Sequence, residues 1–109
     1  MEIKFYTHAC FSISNKSSLL LNDPYLFGTA FNDGWDLIYE INNYKFEDQK
    51  NTFIYFSHEH PDHFSIQFIK SIPDDTRKKI TVIYQKTRDG RVKEFISKLG
   101  FKFIEIEIK

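Results

Sequence analysis

Three histidines and an aspartate fall within six residues at His58-Glu59-His60-Pro61-Asp62-His63, directly after the apolar run Phe53-Ile54-Tyr55-Phe56. The chain has four histidines, and three of them are here. Neutral imidazole nitrogens and carboxylate oxygens are the donors that a divalent metal such as zinc takes at ~2.0–2.2 Å. In an extended segment residues two apart point the same way, so His58 and His60 can converge on one ion. Pro61 redirects the backbone, and Asp62 and His63 can then face a second position. Two ions ~3.5–4 Å apart are within reach of such a segment once ligands from elsewhere join it. The chemistry expected of a metal here is to bring the pKa of bound water toward ~7. Asp62 is the candidate catalytic residue, a ligand that also orients the nucleophile. Glu59 and Pro61 occupy variable positions and are assigned no chemistry. Zinc, iron and manganese all accept this donor set.

The elements that must position the cluster follow from periodicity. Residues 52–57 read as a buried strand, and the histidine run follows as a loop. Ser65 is placed to cap a short helix with Phe68, Ile69 and Ile72 on one face, stopped by Pro73. Residues 79–85 predict another strand. Val92, Phe95, Ile96 and Leu99 recur at helical spacing over 88–99, with Gly100 as the stop. Residues 101–108 predict a last strand with Ile104, Ile106 and Ile108 on one face.

Upstream, residues 2–14 alternate with period two, which predicts one strand, bent or bulged. Ile3, Phe5, Phe11 and Ile13 share one of its faces; Tyr6, His8, Cys10 and Ser12 share the other. Leu19-Leu20-Leu21 predicts a second strand paired back on it through the polar turn Asn15-Lys16-Ser17-Ser18. Residues 25–36, with Gly28, Asn32, Asp33 and Gly34, predict loop. Residues 37–51 fit either a short helix or a strand. The order points to a mixed sheet with helices laid on a face.

Composition sets the outer bounds. The 109 residues are 41% hydrophobic and 17% aromatic, which suits one ordinary domain with an aromatic-rich core. Net charge is zero, from 15 basic and 15 acidic residues, and no basic stripe suggests nucleic acid or an anionic membrane. Arg77-Lys78-Lys79 reads as a solvated turn, and Asp74-Asp75 as a turn with exposed carboxylates. A single cysteine, Cys10, excludes an internal disulfide and reads as a buried small residue. No run approaches the ~18 apolar residues of a membrane span. The expectation is a soluble cytoplasmic protein acting on a small-molecule substrate, with no nucleic-acid or membrane partner.

His58-x-His60-x-Asp62-His63, between a hydrophobic strand and a helix, resembles the signature of the metallo-β-lactamase-fold hydrolases. Leu19-Leu20-Leu21-Asn22-Asp23-Pro24 is similar to that family's second strand and its Asp-Pro-like turn. Thr7-His8-Ala9-Cys10-Phe11 resembles the branch that includes ascorbate-phosphate lactonases. Gly28-Thr29-Ala30-Phe31-Asn32-Asp33-Gly34-Trp35 resembles, more loosely, CMP-N-acetylneuraminate hydroxylase-like members. The resemblance covers residues 1–109 and implies an α+β fold: half of an αββα sandwich, a mixed sheet with helices on one face. It implies that the chain is the N-terminal half of such a domain. It assigns His58, His60, Asp62 and His63 as ligands of one or two zinc ions, with iron or manganese as alternatives.

In the family a third histidine for the first metal, a bridging aspartate and a last histidine come later, and no histidine follows His63 here. Two histidines fall short of the three protein ligands usual for catalytic zinc, so weak or absent metal is expected in this chain alone. A missing second sheet would also leave Phe53, Ile54 or Tyr55 bare on one side or the other and invite a homodimer through the exposed sheet face.

Three further residues are candidates for the pocket. The resemblance puts His8 near it, to touch substrate or support a ligand; as a residue it also reads as an ordinary hydrogen-bonded strand histidine. Asp23 is placed to hydrogen-bond the metal-binding loop, or simply to form the turn before Pro24. Trp35 could line the pocket, although anchoring a loop is the favoured role for it. The leading functional expectation is a metal-dependent hydrolase acting on a lactone, amide, ester or phosphoester, present as an N-terminal fragment inactive alone. One alternative is an iron-dependent oxidoreductase related to sugar-nucleotide hydroxylases, though the Cys/His set of their Rieske centre is absent. The other is a non-catalytic fold fragment.

Overall fold

The alternation over residues 2–14 is carried by two strands, not one. In the computed structural model Glu2–Thr7 (β1) and Cys10–Ser14 (β2) form an antiparallel hairpin. Ile3 pairs with Ile13 and Phe5 with Phe11, so the four residues expected on one face do share it, as cross-strand partners. Directly opposed residues lie on the same face, so period two survives the reversal and cannot by itself reveal it. The register shifts between Phe5 and Thr7, a bulge just before the turn. The structure describes residues 1–7, 9–24, 29–30, 35–36, 46, 50–57 and 64–107; for Thr7, Thr29, Ala30, Trp35 and Asp36 it describes the backbone alone.

Ser18–Asn22 (β3) returns antiparallel on β2. Asn15 shapes the turn between them, its Oδ1 accepting from the backbone N–H of Ser17 at 2.9 Å and of Ser18 at 2.8 Å. Thr29–Ala30 (β4) and Trp35–Asp36 (β5) pair as a separate two-stranded ribbon, where a plain loop is expected from sequence. The intervening sequence contains Asn32-Asp33-Gly34, residues that suit a hairpin connection. The helix-or-strand question over 37–51 falls mostly outside the described residues; Phe46 packs on the core with its ring 6.2 Å from that of Phe68.

With Asn51–Tyr55 (β6), Ile80–Gln85 (β7) and Lys102–Ile106 (β8), the described residues form a six-stranded sheet in the order β1-β2-β3-β6-β7-β8. The β1-β2 and β2-β3 joints are antiparallel, and the three from β3 to β8 are parallel. Parallel joints need crossovers, and two of them are helical. Ile66–Ser71 (α1) starts at Ser65, whose Oγ accepts from the N–H of Phe68 at 3.2 Å, the cap expected from sequence. Arg91–Lys98 (α3) ends before Gly100, which takes φ 99. At its start the Asp89 carboxylate accepts from the N–H of Arg91, and this bond holds its carboxyl below the ordinary value.

The core lies on one side of the sheet. Leu21, Ile54, Phe56 and Val82 pack there against Phe68 and Ile69 of α1 and Val92 and Ile96 of α3, all buried. Each such side chain contributes roughly 1.5–3 kcal/mol by leaving water. The opposite face carries Ile13, Leu20, Phe53, Tyr55 and Ile83, all only half-buried. Phe53 and Tyr55 therefore sit on the open face, whereas Ile54 is sealed under the helices. The architecture is α+β, a mixed sheet with helices on one face, as expected. No helix among the described residues is long and apolar enough to cross a membrane.

Arg77 corrects the reading of Arg77-Lys78-Lys79 as a solvated turn. Asp74–Arg77 (α2) is a one-turn helix, and the Arg77 side chain is only 13% exposed. Its Nε donates to Ile72 O at 2.8 Å, Nη2 to Lys70 O at 2.9 Å and Nη1 to Leu99 O at 3.3 Å. One cation thus serves the carbonyls that end α1 and α3, where helix dipoles favour positive charge. Asp74 pairs with it at 3.1 Å. Arg77→Met is expected to lower stability by about 2 kcal/mol in urea unfolding. Arg77→Lys should recover less than half of that loss, because an ammonium lacks the planar fork.

Candidate metal centre

Parallel strands bring their carboxyl ends to one end of the sheet, where open sheets of this kind place ligands. Asn22 at the end of β3 lies opposite Tyr55 at the end of β6, and Tyr55 opposite Ile83 of β7. Phe56 prolongs the β6-β7 pairing, its N–H donating to Ile83 O at 3.3 Å. The β1-β2 turn reaches the same end, because Phe11 near the start of β2 pairs with Asn22. Asn22 Nδ2 fastens that turn by donating to Ala9 O at 3.1 Å. The residues flanking His8, the turn at Asp23 and the approach to His58 thus converge on one edge.

Asp23 joins these pieces. It is buried, 2% exposed, and takes a left-handed φ of 44, which aspartate tolerates better than most residues. Its N–H donates to Tyr55 O at 2.8 Å. Its carboxylate accepts from Ser57 twice, from the backbone N–H at 2.7 Å on Oδ1 and from Oγ at 2.6 Å on Oδ2. Burying a carboxylate is costly unless it is hydrogen-bonded, and here both oxygens are engaged. Ser57 is the residue immediately before His58. Sequence reasoning does not single out Ser57; its position between the strand and the first histidine is the only signal it carries.

The histidine run leaves the described chain at Ser57 and re-enters it at Phe64. That second end is also fixed. The Phe64 ring, 8% exposed, lies 4.6 Å from the ring of Phe56 and 6.2 Å from that of Phe95. Ser65 then caps α1. Six residues carrying four donors therefore span two anchored points, one bonded to β3 and one packed in the core.

His58, His60, Asp62 and His63 themselves lie outside the described residues, as does His8. For Trp35 the structure gives the backbone pairing with Ala30 in the small ribbon. Among the described residues no group of three His, Cys, Asp or Glu side chains is gathered, and none of the four histidines is among those residues. The fit of a metal here rests on the chemistry of the donor set. Three imidazoles and a carboxylate suit zinc, iron or manganese, and Ser57 directly precedes the first of them in sequence. Cys10, the one cysteine of the sequence, is fully buried and packed in the core.

A helix-backed mixed sheet, with a His-rich run following β6 in the sequence, fits a metallo-hydrolase-like fold. The chain belongs to the beta-lactamase superfamily: the family described as "Beta-lactamase superfamily domain" matches residues 2–107. It is 30% identical over 109 residues to the cytidine monophosphate-N-acetylneuraminic acid hydroxylase of Xenopus laevis, covering 99% of this chain and 18% of that protein. It is 36% identical over 73 residues to the Mus musculus protein of the same name, covering 66% of this chain and 13% of that one. A crystal structure described as a possible metal-dependent hydrolase, from Veillonella parvula, matches with TM-score 0.56 and 25% identity over 98% of this chain and 42% of the other. The isothiocyanate hydrolase from Delia radicum gut bacteria shares the fold, with TM-score 0.52 and 17% identity, again over 42% of its length. The chain thus spans less than half of either structure and under a fifth of the Xenopus relative.

The Asp23 contacts can be separated by substitution. Ser57→Ala keeps the backbone bond and should cost about 1–2 kcal/mol in chemical unfolding. Asp23→Gly suits the positive φ but deletes the carboxylate, and should cost about 3 kcal/mol. Asp23→Ala should be worse than Asp23→Gly by about 1 kcal/mol, because alanine also resists that φ.

Proposed function

We propose that residues 1–109 form the N-terminal half of a metal-dependent hydrolase domain acting on a lactone, amide, ester or phosphoester of a small molecule. The observation that carries this is the grip of Asp23 on Ser57 at the end of β6, directly before the His58–His63 donors. Family membership over residues 2–107 and the likeness to the Veillonella hydrolase support it. His58, His60, Asp62 and His63 would hold the metal, zinc first among the candidates. When bound, the metal would supply positive charge that acidifies water and polarises the substrate. Asp62, as a carboxylate beside that charge, would orient the attacking water. Asp23 acts at one remove, fixing where the histidine segment begins. His8 and Trp35 are pocket residues in this reading. The open sheet face would receive the second layer of the αββα sandwich. A reducing, cytoplasmic setting suits a sequence with a single cysteine.

A second reading is an iron-dependent oxidoreductase, favoured by the 30% identity to the Xenopus hydroxylase over the whole chain. The two readings differ in the metal retained. In an anaerobic competition titration with both metals in excess, iron(II) bound as tightly as zinc, against the usual order of affinities, supports the second reading, and zinc bound far more tightly is what hydrolysis predicts. In either case His60→Ala should lose affinity about tenfold or more in a competition titration with a chromophoric chelator. Equal affinity in the wild type and His60→Ala overturns the metal assignment.

A further inference from the structure

The sheet has two edges, and they are not equivalent. Among the described residues β1 has a single neighbour, β2. Glu2, Ile3, Lys4 and Phe5 are all exposed, Ile3 to 67% and Phe5 to 70%, and Met1 before them to 96%. An edge strand presents unpaired N–H and C=O groups, and exposed apolar side chains on it make it a template for pairing. Glu2 and Lys4 share one face, with Lys4 Nζ 3.6 Å from Glu2 Oε1, and Ile3 and Phe5 share the other.

We propose that β1 is a self-complementary edge that joins two copies of this chain, paired antiparallel about Ile3. With Ile3 opposite Ile3, Glu2 of each copy falls opposite Lys4 of the other, and Met1 opposite Phe5. Each charge then sits between two of opposite sign, and the intrachain pair is kept. The apolar side chains line up on the other face, because opposed residues share a face. Neighbouring registers lose this match. A shift one way sets Lys4 against Lys4, the other way Glu2 against Glu2, and an odd shift sets charge against apolar side chain. The far edge, β8, has no such match: Lys102 and Glu105 lie on opposite faces, and Glu105 is engaged by Lys93 at 2.9 Å.

The pairing leaves the open sheet face free, so it is compatible with a second layer there and does not depend on the hydrolase reading. Contact between two open faces, the surface expected from sequence, is the competing mode of association. Sedimentation velocity over a range of concentrations decides between them. The wild-type chain should dimerise, and Glu2→Lys and Lys4→Glu should each weaken the dimer by about tenfold. A one-to-one mixture of the two variants should associate again as a heterodimer, since one edge is then all lysine and the other all glutamate. Recovery in the mixture also shows that both variants are folded. A wild-type chain that stays monomeric overturns the proposal. So does a dimer unaffected by either variant, or one lost in Phe53→Lys but not in the charge variants.

Discussion

Everything at the candidate site hangs from the parallel pairing of β3 with β6 and the lock that closes it. The ladder runs from Ser18 opposite Asn51 to Asn22 opposite Tyr55. One residue further on, backbone pairing gives way to Asp23, whose N–H still reaches Tyr55 O while its carboxylate takes both donors of Ser57. Two chain ends that would otherwise splay into loops are tied by three short hydrogen bonds in a buried setting. A strand that stops without such a tie would set its first loop residue loosely, and a metal ligand one residue away would inherit that looseness.

The same logic governs the other end of the histidine segment. Phe64 sinks into the core against Phe56 and Phe95, and Ser65 begins α1. Arg77 then holds the carbonyl ends of α1 and α3 together from below. The helices are short, six and eight residues, and such lengths gain their stability from packing and end contacts rather than from intrinsic propensity. Function in this fold rests on loops, and the loops are only as well placed as these few contacts make them.

Much of the fold was legible in the residues. The apolar runs at β6 and β7, the Ser65 cap and the helical spacing of Val92 and Ile96 each have one structural meaning, and the structure takes it. Three features were not legible. The reversal between β1 and β2 hides behind unbroken alternation, because Ile3 and Ile13 share a face in one strand or in two. The ribbon of β4 and β5 is too short to show a period. Arg77 looks like one charge in a basic run, and its acceptors appear only when the end of α1 folds back on it and Leu99, twenty-two residues on, reaches it. For the candidate site the metal-binding types at His58, His60, Asp62 and His63 stand out by spacing alone. Ser57 does not, since a serine after a strand carries no chemical signal until Asp23 is seen against it.

The central claim is that a metal is held by the segment that this lock positions. Zinc K-edge X-ray absorption on the zinc-loaded chain addresses it most directly. The account predicts at least two imidazole nitrogens at ~2.0–2.1 Å, recognisable by the outer-shell scattering of their rings. A zinc shell of oxygens alone, with no imidazole scattering, would contradict it.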